Sequence, residues 1–101
     1  MVGQEYEVIW NATAKRQVRK IYDYIQQESL QNAKKVILGI AEATEKLNAN
    51  PDRFALDKYK RNNDGSYRYF ELYRYRVAFR IYNTHIRILR VRSTDQEPLE
   101  Y

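Results

Sequence analysis

The chain has no cysteine and only one histidine. Without cysteine there is no disulfide, no thiolate metal site and no cysteine nucleophile. A single imidazole is too few for a His-based metal centre and a poor basis for a Ser-His-Asp arrangement. No run approaches the roughly 20 apolar residues of a membrane span, and we expect no signal peptide. There is no internal repeat, low-complexity tract or sign of a second domain. These absences lead us to expect one small, soluble, cytoplasmic domain over residues 1–101, with no membrane association, metal or cofactor.

What the sequence does have is arginine and tyrosine. Residues 67–92 carry seven arginines and five tyrosines. These side chains grip phosphates, stack on bases and anchor protein interfaces. Charge is also segregated. Residues 1–57 balance eight basic against eight acidic groups, residues 58–92 hold ten basic and two acidic, and residues 93–101 hold three acids and no base. A basic stripe confined to one half of a domain points to an anionic partner, either nucleic acid or an acidic protein surface. The plain alternative is a soluble sheet surface that uses arginine as a strand-compatible charge.

Patterning predicts an α+β domain of order β-α-α-β-β-β. Tyr6, Val8 and Trp10 alternate along a first strand. Asn11 or Thr13 can cap a helix whose apolar positions are Ala14, Val18, Ile21, Tyr22 and Ile25, running to about Glu28. Ser29 can cap a second helix with Ala33, Ile37, Ile40, Thr44 and Leu47 on one stripe, ended by Asn50-Pro51. Gly39 inside it costs about 1 kcal/mol relative to alanine and suggests close packing of the two helices. Residues 52–66 read as a loop. Tyr67–Tyr73, Tyr75–Tyr82 and Ile86–Arg92 then form strands of an antiparallel sheet covered on one side by the helical hairpin.

Tight turns fix an expected register. A turn at Tyr73-Arg74 sets Leu72 against Tyr75 and Phe70 against Val77. A turn centred on Thr84 sets Arg76 against Arg92, Ala78 against Arg90, and Phe79 against Leu89. The core face then holds Phe70, Leu72, Tyr75, Val77, Phe79, Ile81, Leu89 and Val91. Tyr67, Tyr69, Glu71, Arg76, Ala78, Arg80, Arg90 and Arg92 face solvent. Arg76 opposite Arg92 is a like-charge pair, destabilising by up to about 1 kcal/mol unless an anion or a carboxylate such as Glu71 bridges it. His85 falls in the hairpin turn, as a solvated residue.

The ordered set Val8-Ile9-Trp10, Ile21-Tyr22-Asp23-Tyr24-Ile25, Leu47…Asn50-Pro51, Gly65-Ser66-Tyr67-Arg68-Tyr69-Phe70-Glu71, Tyr75-Arg76-Val77-Ala78-Phe79-Arg80-Ile81 and Ile86–Arg92 resembles the RelE/ParE superfamily of bacterial toxins. These toxins come from type II toxin–antitoxin (plasmid stabilisation) systems. The resemblance covers nearly the whole chain. It implies a growth-inhibiting toxin that is neutralised by a cognate antitoxin in a hetero-oligomer. RelE-like members cut mRNA in the ribosomal A site, as ribosome-dependent mRNA interferases, whereas ParE-like members inhibit DNA gyrase.

RNA cleavage needs a base for the 2′-OH, an acid for the leaving oxygen, and cations on the phosphate. Arg76 matches the family arginine of the Tyr-Arg-Val strand, and Arg90 and Arg92 could assist it. Arginine is a poor acid or base, because its pKa exceeds about 12. RelE-like enzymes place lysines on the strand before Tyr75-Arg76. Here that strand has Arg68, and the nearest lysines, Lys58 and Lys60, fall in the loop. Where many members have a histidine after the last strand, this chain reads Arg92-Ser93-Thr94. Tyr101 matches the late catalytic tyrosine only loosely in spacing. The resemblance therefore favours the ParE-like branch, a gyrase-binding toxin without catalysis of its own. The candidate binding face is Arg68, Tyr69, Arg76, Arg80, Arg90 and Arg92. The alternative nuclease would use Arg76, Arg92 and Tyr101. A third reading is a non-catalytic nucleic-acid-binding module or degenerate toxin. Arg16, Arg19 and Lys20 have the spacing of an ordinary solvated helix face.

Overall fold

The computed structural model of the chain describes residues 5–96 and 98–101; Glu97, one of the three acids after residue 92, lies outside them. Strand β1 (Glu7–Trp10) leads into helix α1 (Ala12–Gln26) and then α2 (Leu30–Glu45). Ser29 caps α2, its side chain accepting from the Asn32 amide at 3.0 Å, which satisfies one of the free amides of the first turn. Two short 3-10 turns, Lys46–Asn48 and Pro51–Arg53, lead to β2 (Ala55–Leu56), β3 (Tyr67–Leu72), β4 (Tyr75–Ile81) and β5 (His85–Ser93). The sheet order is β1-β5-β4-β3-β2.

The expected α+β arrangement is present, with two additions. Strand β2 lies within what patterning left as a loop. Strand β1 pairs with β5 in parallel, so only β2 to β5 are antiparallel and the sheet is mixed. Alternation places Val8 and Trp10 beside Ile86 and Ile88. It would do so equally well in either direction, so the sequence pattern carries no signal for the direction of pairing.

The helical hairpin covers one face of the sheet. Ala14, Val36, Ile40 and Leu47 meet Val77, Phe79, Ile86, Ile88 and Val91 in the core. Phe79 is fully buried, with Phe54 and Phe70 at ring-centroid distances of 5.9 and 6.5 Å. Burying such a ring contributes about 2–3 kcal/mol. On α2 the buried position is Val36, whereas the expected Ile37 is only half-buried.

A bulge corrects the last strand. The two-residue loop Asn83-Thr84 pairs Ile81 with Ile86 and Phe79 with Ile88, whereas Ala78 still faces Arg90 and Arg76 faces Arg92. Leu89 is the extra residue, turned out of the core, and Ile86 and Ile88 take the place expected for it. Two residues opposing one is how a bulge re-aims side chains within a strand.

Gly39 meets a contact that patterning did not anticipate. A Cβ there would stand 2.5 Å from Tyr73 Cε2, so the glycine makes room for the β3–β4 turn. That turn places Tyr73 and Arg74 at φ 52° and 67°, a left-handed pair normally filled by Asn-Gly. The Thr94 amide and hydroxyl hold the Arg74 carbonyl at 2.8 and 3.1 Å, which helps fix the strained turn.

Candidate functional site

The sheet face opposite the helices carries Tyr67, Tyr69 and Glu71 from β3, Arg76, Ala78 and Arg80 from β4, and Arg87, Arg90 and Arg92 from β5. It is not open along its whole length. Residues 57–61 and 98–101 fold over the end nearest Arg76. The Tyr101 amide donates to the Tyr59 carbonyl at 3.0 Å, and the Arg61 amide to the Tyr101 carbonyl at 2.7 Å. Beneath them is a cavity of about 90 Å³, whose lining includes Asp57, Tyr59, Arg76, Arg90, Arg92 and Tyr101.

Asp57 organises this end. The residue is 3% exposed. One oxygen accepts from Arg76 Nη2 at 3.1 Å and from the Tyr59 amide at 3.0 Å, and the other accepts the Tyr101 hydroxyl at 2.6 Å. Glu71 pairs with the second Arg76 terminal nitrogen at 3.3 Å. The guanidinium lies 3.6 Å from the Tyr69 ring centre and 4.6 Å from that of Tyr59. Arg76 is therefore neutralised by two carboxylates and stacked against two rings. At 14% side-chain exposure it is not the solvent-facing residue that alternation suggested. Burial, reinforced by the Asp57 hydrogen bond, pushes the Tyr101 phenol above its ordinary pKa. A phenol so held is a weak proton donor.

The other end of the face has different chemistry. Arg80 donates from Nε to Ser66 Oγ at 3.2 Å and from Nη1 to the Tyr82 hydroxyl at 3.3 Å, and stacks 4.7 Å from both Tyr67 and Tyr82. Arg87, directly opposite, donates to Asn11 Oδ1 at 3.0 Å. Lys60 lies 4.7 Å over Tyr67, whereas Arg90, 4.0 Å over Tyr101, belongs with the cavity at the Asp57 end. His85 is the first residue of β5 and stacks on Tyr82 at 4.5 Å.

Of the residues singled out from sequence, Tyr69, Arg76, Arg80, Arg90, Arg92 and Tyr101 share this face. Arg68 does not. It pairs with Phe79 in the register and so points to the helix side of the sheet. There its guanidinium donates to the carbonyls of Asp52, Phe54 and Gly65 at 2.6, 2.7 and 3.1 Å, clipping the preceding loop to β3. Sequence reasoning missed Asp57, because nothing near it in the chain announces a partner 19 residues on. It also left Arg87 out of the face, although the two-residue Asn83-Thr84 turn would have placed it there. Among the described residues no helix is long and apolar enough to cross a membrane.

Comparison with known proteins adds the family. A structure of the chromosomal ParDE TA system from P. aeruginosa superposes with a TM-score of 0.70 at 21% identity, covering 90% of this chain and 98% of that one. The toxin–antitoxin complex RelBE2 from Mycobacterium tuberculosis superposes at 0.62, also at 21% identity, covering 88% and 98%. At such identity these likenesses bear on the fold. No curated protein matches the chain significantly in sequence. The family model described as the ParE toxin of the type II toxin-antitoxin system parDE matches residues 8–98. The chain thus belongs to the ParE toxin family of type II toxin–antitoxin systems, within the RelE/ParE superfamily.

Proposed function

We propose that this toxin inhibits growth by binding DNA gyrase and blocking replication, without catalysis of its own, and that a cognate antitoxin neutralises it in a cytoplasmic hetero-oligomer. The observation that carries this reading is the state of Arg76. A nuclease needs that guanidinium for the scissile phosphate, yet Asp57 and Glu71 already neutralise it at 3.1 and 3.3 Å. Two carboxylates beside it would repel an RNA phosphate. Tyr101, the remaining candidate for proton transfer, donates its hydroxyl to Asp57. An arginine so compensated is suited to holding the fold of the face, and the surrounding tyrosines are suited to a protein interface.

The second reading, a ribosome-dependent mRNA interferase, has one observation in its favour: Arg76, Arg92 and Tyr101 line the same cavity. The two readings separate when the chain is expressed alone in bacteria and DNA and protein synthesis are followed together. The gyrase reading expects DNA synthesis to fall first while translation continues, and expects purified toxin to inhibit supercoiling by gyrase. Translation failing first, with cleaved mRNA, would replace it with the nuclease. In that case Tyr101→Phe tests the hydroxyl directly, since retained cleavage excludes it as acid or base.

A further inference from the structure

Helix α2 turns its apolar stripe to the sheet, and its opposite face has a pattern of its own. Gln31, Lys34, Leu38, Ala41 and Glu45 are all exposed. They recur at alternating steps of three and four residues, the spacing of a coiled-coil seam. Leu38, at the middle, is 62% exposed. Charge along this face changes sign at Leu38. Lys34 and Lys35 precede it, and Glu42 and Glu45 occupy the last turn. Two acids at the C-terminal end, with no base in the last turn, oppose the helix dipole. The opposite charges are too far apart to relieve one another, since Lys34 and Glu42 are separated by about 12 Å of helix axis. Among the described residues none of these four groups is in an ion pair. The order of charges therefore costs the lone chain and brings it no salt bridge.

We propose that this face of α2 docks on the same face of a second copy of the chain, the two helices antiparallel about a two-fold axis between Leu38 and Ala41. Leu38 then packs on Ala41 of the second copy, Lys34 faces its Glu45 and Lys35 its Glu42, and the symmetry repeats each contact. Each cationic half meets an acidic half, and the acids at each C-terminus gain the positive N-terminal end of the other helix. A parallel pair would instead set lysine against lysine and glutamate against glutamate. Self-complementarity about the centre of an exposed seam is what selects a second copy as the occupant. Tyr73, 43% exposed and packed on α2 at Gly39, borders the seam and widens its apolar part. One helix per copy, about 24 Å long, makes a small interface of the transient kind, so the dissociation constant is expected on the order of 50 µM. The inference does not depend on whether gyrase or the ribosome is the target.

The test is sedimentation equilibrium of the full chain from about 5 to about 500 µM, a range that brackets a transient dimer. Wild type should pass from monomer to dimer and stop there, because a two-fold contact closes on itself. Leu38→Asp sets like charges at the centre of the contact and should keep the chain monomeric. Lys34→Glu/Lys35→Glu leaves this face acidic, and Glu42→Lys/Glu45→Lys leaves it basic. Each of these variants alone should dimerise at least about tenfold more weakly than wild type. Mixed in equal amounts, they should form a heterodimer at least as tight as the wild-type dimer, since every contact is again between opposite charges. A Lys15→Glu/Lys20→Glu variant carries the same change of charge on α1 and should not pair with the basic variant. Circular dichroism establishes that each variant is folded, and if Leu38→Asp does not fold the mixed variants carry the test. A chain that stays monomeric throughout would overturn the proposal; release of the cognate antitoxin by the reversed variants would then assign the face to that protein. Dimerisation that survives Leu38→Asp, or equal pairing by the α1 control, would overturn it as well.

Discussion

Arg76 and Arg80 leave the same face of the same strand, and each stands opposite another arginine on β5. Their surroundings then diverge. Arg76 is covered, stacked between Tyr69 and Tyr59, and paired with Asp57 and Glu71. Arg80 is a third exposed and is held by a serine and a tyrosine hydroxyl, with its one acid at 4.0 Å. An arginine whose partners are carboxylates is part of the architecture, whereas one whose partners are neutral oxygens keeps its charge for something else. Identity and alternation treat the two residues as equivalent, and only their acceptors distinguish them.

Removing what both ends share should have the largest effect. Phe79 is completely buried beneath the strand that carries them. Phe79→Ala should cost about 3–5 kcal/mol in urea unfolding and loosen both ends together. An unchanged midpoint would mean that the common floor is not where the structure places it. The next effect separates the ends. Asp57→Ala strips Arg76 of its better-buried partner and leaves the Tyr101 hydroxyl without its acceptor, so it should cost about 3 kcal/mol. A double-mutant cycle between Asp57 and Arg76 should show strong coupling. For the same reason Arg76→Ala is expected to destabilise the domain, contrary to what a solvent-facing arginine would do.

Tyr101→Phe is a gentler cut at the same end. It removes one donor from a buried carboxylate oxygen and should cost about 1–2 kcal/mol. It also carries a pH signature. Because the folded phenol titrates above its ordinary value, chiefly through burial and then through Asp57, the wild type gains stability that is complete below about pH 10 and lost as the pH rises past it. The Phe variant has no such loss, so the two unfolding curves should converge in alkaline solution. Curves that stay parallel would detach Tyr101 from Asp57.

The sequence made legible whatever depends on short-range periodicity. The helices, the three long strands, the Tyr73-Arg74 turn and the Arg76–Arg92 opposition all follow from alternation and helical spacing. Among the features that did not, three have a clear physical reason. The bulge at Leu89 is one inserted residue, and an apolar-rich strand absorbs it without a break in pattern, which hid Ile86 and Ile88 as core residues and Arg87 as a face residue. The parallel pairing of β1 leaves the same residues facing inward as the antiparallel alternative would. Asp57 gains its role from partners far along the chain, Arg76 and Tyr101, and from a loop fold that no local motif encodes. Arg68 shows the converse case, an arginine inside the basic run whose alternation sets it on the opposite face.

The smallest expected effect is at the exposed end, and it is the sharpest check on the contrast. Asp64 is the only carboxylate that approaches Arg80 among the described residues, and it is largely exposed. If Arg80 owes its position to Ser66 and Tyr82, then Asp64→Asn should leave the melting temperature at neutral pH essentially where it was, while Asp57→Ala lowers it markedly. The Ser66 hydroxyl and amide hold the Asp64 carboxyl below its ordinary value. Its contribution is therefore present above about pH 4 and lost only as the pH falls below that. Wild type and Asp64→Asn should differ least in strong acid, where both carry a neutral side chain. A clear loss of stability in Asp64→Asn at neutral pH that disappears in an Arg80→Gln background, and so does not come from the Ser66 hydrogen bonds, would show that Arg80 depends on a carboxylate after all. The two ends of the face would then differ in degree, and the case for uncompensated charge at Arg80 would fail with it.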